Sequence, residues 1–329
     1  MDTSVILKER VLSVNDAEFE ALAIDIFRFQ YTNNSIYQQF VDALKVNVSK
    51  VESIIQIPFL PIEFYKTHKV VSNTSLPIQK IYESSGTTGS VVSKNYVVDE
   101  NFYFKVSKSI FEAQFGDLNQ YIILALLPNY LERGNSSLVA MVNYFMNFSA
   151  PESSFYLSDF EKLNHFIQNK PSDKKLLLWG VTYALLDFVD LYSPDLLDVM
   201  LIETGGMKGR KKEMIRAEVY EYLNEKSGAS FIGSEYGMTE LFSQAYSSQN
   251  GIFTQPNTLK VVIREANDPF NFLEIGRRGG INIIDLANID TCSFIATQDL
   301  GLKLSENTFE VLGRFDTSDV RGCNLMVSN

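Results

Sequence analysis

Histidine is nearly missing from this chain of 329 residues, which holds only His68 and His165, far apart in sequence. Zinc-ligand spacing is therefore absent, and a histidine-based nucleophile system has little to draw on. Both histidines are expected to be structural. Cysteine is as scarce: Cys292 and Cys323 form no paired framework, which fits a reducing compartment. An excess of positive charge is also lacking. The 29 Lys and Arg against 40 Asp and Glu leave a net charge of −11, which argues against a nucleic-acid surface. That balance does not exclude a nucleotide, because backbone N–H groups can supply a local positive field. Long apolar runs are missing too. The longest, Tyr121 to Leu127, falls far short of the ~20 residues that span a bilayer. The opening MDTSVILKERVLSVND has no basic start ahead of an apolar run, so no signal peptide is read and a cytoplasmic location is expected.

What is present is a globular balance, 45% hydrophobic and 21% charged. The 24 Phe and 16 Tyr suit a well-filled core or an aromatic pocket for an apolar ligand, and composition favours the core. From about Asn15 to Lys50 the chain reads as helical, with Phe19, Leu22, Ile26 and Phe29 at helical spacing, Asn15 or Ser13 as cap, and a break at Thr32–Ser35. Pro58 and Pro61 predict an extended connector over Ile57–Lys66. The middle of the chain alternates apolar strands with amphipathic helices. The strands are read at 121–127, 175–180, 197–206 and 229–237, with a charged helix from Arg210 to Lys226 before the last. That alternation predicts an α/β sheet, in which ligands bind beyond the carboxyl ends of the strands. From about Phe253 to Leu312 the texture is β-rich, with strands over 259–265, 279–286, 292–300 and 309–314. Cys292 falls in one of these strands and is expected in the core. The apolar segments Val139–Phe148 and Trp179–Val189 suit a long pocket or core, and core is favoured.

The strongest local signal is the run Ser84, Ser85, Gly86, Thr87, Thr88, Gly89 and Ser90, followed by Lys94. Its glycines let the backbone turn and approach a ligand. Its hydroxyls and N–H groups can donate to phosphate oxygens. Ser, Thr and Gly also make ordinary polar loops, and the run is not a Walker loop, so a P-loop kinase is a poor reading.

With its downstream lysine, SSGTTGS resembles the phosphate-binding motif of the adenylate-forming superfamily, which includes acyl-CoA synthetases, luciferases and amino-acid-activating domains. Three further motifs of that superfamily follow in order: Tyr236-Gly237-Met238-Thr239-Glu240, Asp299 at the end of Thr297-Gln298-Asp299, and the hinge Gly313-Arg314-Phe315-Asp316. The short length, PFLP near Pro58, the double serine before GTTG and the RGC near the end resemble the acyl-protein synthetases, the LuxE-type subunits of bacterial fatty-acid reductase. This resemblance runs from about Ile57 to Met326 and is weakest in the N-terminal helices.

The resemblance implies an α/β fold. It would be the large domain of adenylate-forming enzymes, with mixed or parallel sheets flanked by helices plus a β-rich subdomain, and without the usual C-terminal domain. It divides the chain into a helical segment over 1–56, an adenylate-forming α/β core over 57–250, and a β-rich subdomain with a truncated hinge and tail over 251–329. It implies ATP as substrate with Mg²⁺. Glu240 would hold the cation, Thr239 would contact the α-phosphate, and Tyr236 would pack on adenine. Gly205 and Gly206 would let adenine lie against the backbone, Asp299 would accept from ribose hydroxyls, and Arg314 of the hinge would bind the nucleotide. A fatty acid would be activated, carried on Cys323 and passed to a reductase or acyltransferase partner, with no nucleic acid and no membrane span involved. Arg321 beside Cys323 would help form the thiolate. The sequence given ends thirteen residues after Asp316, so the usual catalytic lysine has no counterpart there. Lys94, Lys208 and Lys303 are the candidates to stand in for it, and Lys94 stands slightly further from GTTG than in common relatives. Two other readings compete: an acyl- or aryl-CoA ligase of the phenylacetate type, and a catalytically weak subunit that binds nucleotide or acyl group.

Overall fold

The structure, a computed structural model, describes residues 3–72, 77–84, 91–128, 134–171, 173–205, 214–248 and 250–315. Two compact units divide the chain, residues 1–76 with 257–329 as one and 77–256 as the other.

The first unit opens with α1 (Thr3–Leu12), α2 (Asp16–Asn33) and α3 (Ser35–Ala43). Asn15 caps α2, its side chain accepting from the N–H groups of Ala17 and Glu18. Phe19, Leu22, Ala23, Ile26, Phe27 and Gln30 form its buried stripe. The break falls within the expected run because Asn34 serves both helices: it ends α2 and accepts from Tyr37 N–H to start α3. The proline-bracketed connector does more than was read from it. Leu60–Pro61 form a short strand, β1, and Phe64–Thr67 a helical turn, α4. A proline fits there because it sits at the strand's end, and the next N–H, of Ile62, donates to Ala296 carbonyl at 3.0 Å.

The second unit carries β2 (Lys80–Glu83) paired antiparallel with β3 (Lys94–Val97). After α5 (Glu100–Phe115) the chain alternates. In order come β4 (Tyr121–Leu126), α6 (Ser137–Met146), β5 (Ser154–Phe155), α7 (Phe160–Gln168), β6 (Lys175–Val181), α8 (Thr182–Tyr192), β7 (Val199–Thr204), α9 (Arg216–Ser227) and β8 (Phe231–Tyr236). Two short strands follow, β9 (Ala245–Ser247) and β10 (Ile252–Thr254). The sheet order is β10-β9-β8-β7-β6-β4-β5, parallel from β8 to β5 and antiparallel at β9 and β10. Strands buried on both faces read as continuous apolar runs, as KLLLWGV does. On one face of β6, Trp179 stacks on Phe111 of α5 and meets Phe145 of α6. On the other, Gly180 lets Leu185 of α8 approach so closely that a Cβ would lie 2.7 Å from its side chain. The segments around Val139 and Trp179 thus supply core: Met141, Val142 and Phe145 are buried, as is most of α8.

The first unit resumes with β11 (Leu259–Arg264), β12 (Arg278–Asp285), β13 (Phe294–Lys303) and β14 (Thr308–Arg314), an antiparallel sheet in that order. β14 pairs with Asp299–Lys303, and β1 pairs in parallel with Ile295 and Ala296, where β14 does not reach. Cys292 is fully buried just before β13, and burial pushes its thiol up to about 12. It is the inert core residue expected. Among the described residues no helix is long and apolar enough to cross a membrane.

Candidate active site

The site is built upward from the β2–β3 hairpin. Its last pair, Glu83 with Lys94, is followed by a closure at Ser84, whose N–H donates to Ser93 carbonyl at 3.0 Å. Ser93 N–H donates back to Ser84 Oγ at 2.9 Å. The base of the Ser/Thr/Gly loop is therefore pinned by two reciprocal bonds. Ser85, Gly86, Thr87, Thr88, Gly89 and Ser90 lie outside the described residues. Lys94 faces Glu83 at 3.5 Å, with both side chains well exposed, so this pair adds little to stability.

Beside Lys94, Asn95 is fully buried and donates from Nδ2 to the carbonyl of Thr239 at 2.9 Å. This bond brings the loop's hairpin to the Tyr236–Glu240 motif. Tyr236 ends β8, with its ring 5.8 Å from that of Phe253, which in turn carries the Arg216 guanidinium at 4.9 Å. Met238 carbonyl accepts from Leu241 N–H at 3.1 Å, turning the chain so that Glu240 is buried while Thr239 stays half-buried.

Beneath this turn lies a polar network that the sequence reading did not single out. Glu203 near the end of β7 and Glu235 near the end of β8 are both buried; the parallel register pairs Glu203 with Ser234 and Thr204 with Glu235, so the two carboxyl groups lie on adjacent strands and point to opposite faces of the sheet. Glu203 accepts from Thr182 Oγ1 at 2.7 Å, from Arg216 Nε at 3.2 Å and from Ser234 Oγ. Glu235 accepts from Thr204 Oγ1. Glu203 is thus met by one cation and two hydroxyls. Burial, and then the nearby Glu203, raise the Glu235 carboxyl to about 7 against the single opposing bond from Thr204. Gly237 exists in part for this carboxyl, since a Cβ there would lie 2.2 Å from Glu235 Oε1. The available signal was an acidic residue inside each of two apolar strand runs, which requires a partner when buried. Gly205 follows β7 at φ +79°, a turn that favours glycine, and is exposed; Gly206 lies outside the described residues.

In the first unit, Asp299 and Arg314 are register partners on β13 and β14, with Arg314 Nε 3.4 Å from Asp299 Oδ1. Asp299 is buried and its N–H donates to Thr297 Oγ1 at 3.1 Å, whereas the Arg314 side chain is 78% exposed. Lys303 pairs with Glu306 at 3.0 Å. His68 and His165 are both exposed, His68 stacked on Phe64. Cys323, Lys208, Asp316 and Arg321 lie outside the described residues. Among the described residues no group of three His, Cys, Asp or Glu side chains could hold a metal. Mg²⁺ takes one or two carboxylates and completes its shell with phosphate oxygens and water. A single buried carboxylate at Glu240 fits a cation that arrives with a nucleotide.

Known proteins bear on this geometry. A family model described as acyl-protein synthetase, LuxE, matches residues 6–329. The long-chain-fatty-acid–luciferin-component ligase of Aliivibrio fischeri is 24% identical over 346 aligned positions, covering 94% of this chain and 88% of the relative. A 2-hydroxyisobutyryl-CoA ligase solved with 2-HIB-AMP and CoA is similar with a TM-score of 0.69 at 13% identity, covering 94% of this chain and 71% of that one. The ATP-bound MatB of Rhodopseudomonas palustris gives a TM-score of 0.54 at 15% identity over 74% of this chain. This chain spans about half the length of ATP-bound structures of that kind, 49% of MatB. These likenesses show the fold, the large α/β domain of adenylate-forming enzymes.

Proposed function

Because the chain belongs to the acyl-protein synthetase (LuxE) family, we propose that this ligase activates a long-chain fatty acid with ATP and Mg²⁺ and transfers the acyl group to its own Cys323. A carboxylate oxygen of the acid attacks the α-phosphorus of ATP. The bond to the β-phosphate oxygen breaks, and pyrophosphate leaves with the electron pair, giving an acyl-adenylate. The Cys323 thiolate then attacks the acyl carbon and AMP departs, leaving a thioester for a reductase or acyltransferase partner.

The chain's own residues meet the demands of the first step, which gathers negative charge at one phosphorus. Ser84, the loop from Ser85 to Ser90 and Lys94 are assigned to the phosphates. Thr239 is assigned to the α-phosphate and Glu240 to the cation that the nucleotide brings. Tyr236, Gly237 and Met238 with Gly205 and Gly206 are assigned to adenine, Asp299 to ribose hydroxyls, and Arg314 to the hinge beside it. The observation that carries the reading is the bond from Asn95 to Thr239, which ties the hairpin of one motif to the backbone of the next.

Incubation with ATP, Mg²⁺ and radiolabelled tetradecanoate tests the proposal. Protein-bound, hydroxylamine-labile label that disappears in Cys323→Ser is the expected result. Product that depends on coenzyme A and survives Cys323→Ser would replace it with the CoA-ligase reading.

A further inference from the structure

We propose that Asn95 is a positioning residue: it sets the Thr239–Glu240 turn against the β2–β3 hairpin, and its contribution is to turnover rather than to folding. The inference rests on the assignment of Thr239 and Glu240 given above and names what holds them in place.

Asn95 sits in the middle of β3, opposite Tyr82, and is fully buried. Its neighbour across the gap is a backbone carbonyl, which can only accept, so Nδ2 must face Thr239 and Oδ1 must point elsewhere. Among the described residues Oδ1 finds no partner. A buried amide oxygen without a donor is a net cost to folding, and asparagine is a poor strand residue besides. A leucine of nearly the same shape would fill the site without that cost. Packing and stability therefore give no reason for an amide here, whereas its reach does.

The hairpin has other ties within its unit. Glu83 N–H donates to Asn135 carbonyl at 2.9 Å, Lys80 Nζ to Gly134 carbonyl at 3.2 Å, and Tyr82 Oη to Glu100 at 2.5 Å. All three lead toward the 134–135 segment or the start of α5. The Asn95 bond leads to the motif instead. By fixing the Thr239 carbonyl it fixes the plane of the Thr239–Glu240 peptide, and with it the direction of the Glu240 N–H and Cα. The amide thus ties the β2–β3 hairpin to the Thr239–Glu240 turn. The loop base is itself fixed by the Ser84–Ser93 closure, two residues before Asn95.

The test compares wild type with Asn95→Leu and Asn95→Asp in tetradecanoate-dependent exchange of labelled pyrophosphate into ATP, alongside thermal unfolding. Asn95→Leu is expected to melt no lower than wild type and to keep its KM for the acid. Its kcat is expected to fall about 10- to 100-fold, the scale of a misplacement of about 1 Å, with more Mg²⁺ needed for half-maximal rate. Asn95→Asp, which sets a second acceptor against the carbonyl, is expected to fall further. Wild-type exchange rates in Asn95→Leu, or a loss of rate matched by a loss of melting temperature, overturn the proposal. If wild type exchanges no pyrophosphate with any acid, the functional reading fails instead. Asn95 is then judged by calorimetry with Mg²⁺ and α,β-methylene-ATP, where about tenfold weaker binding by Asn95→Leu sustains the positioning role and unchanged binding ends it.

Discussion

Replacing Glu235 by glutamine should stabilise this protein at alkaline pH and do little at acid pH. The folded carboxyl holds its proton up to about 7, against an ordinary value of 4.5. The cause is burial, reinforced by Glu203 and opposed by the bond from Thr204 Oγ1. The other titratable groups facing it are the Tyr103 and Tyr246 phenols, both raised by burial and neutral over the working range. Below pH 4.5 both folded and unfolded chains carry the proton, and Glu235 has no pH-dependent effect. As pH rises from there to about 7, the unfolded chain releases the proton and the folded chain keeps it. Wild type then loses about 1.4 kcal/mol per pH unit relative to a neutral side chain, about 3 kcal/mol in all. Glutamine keeps an acceptor for Thr204 and never charges. Urea unfolding of wild type and Glu235→Gln at pH 5 and pH 8 measures the difference. The variant's advantage should grow by about 2 to 3 kcal/mol between the two. An advantage that is the same at both pH values would refute the claim that the folded protein keeps the proton on Glu235.

Two further outcomes follow from contacts of the same kind. Gly237→Ala places a Cβ 2.2 Å from Glu235 Oε1, so it should abolish pyrophosphate exchange, and the double variant with Glu235→Ala should recover part of it. Lys8→Met removes the cation 2.5 Å from Asp290, whose side chain is 3% exposed. Taking this cation from a buried carboxylate should cost about 3 to 5 kcal/mol, read by thermal unfolding.

The parallel strands were legible because continuous apolar runs such as YIILAL and KLLLWGV are what a doubly covered sheet demands. The split between α2 and α3 was legible because asparagine both ends and starts helices there. The connector at Pro61 was read as merely extended because a two-residue strand leaves no periodic pattern; only its partner on β13 defines it. The Tyr236–Glu240 motif was visible as a word, but its support was not. Glu203 and Glu235 are 32 positions apart, and only the register of β7 against β8 gives them their partners, Ser234 and Thr204. Asn95 and Thr239, 144 positions apart, meet through a side-chain bond that no local pattern encodes.

The central claim, that an acid is activated on ATP by the Ser84–Ser90 and Tyr236–Glu240 motifs, is tested most directly by exchange of labelled pyrophosphate into ATP across a panel of carboxylic acids. Exchange that requires Mg²⁺ and a long-chain fatty acid, and that disappears in Glu240→Ala, is the predicted result. Tight ATP binding with no exchange for any acid in the panel would contradict it.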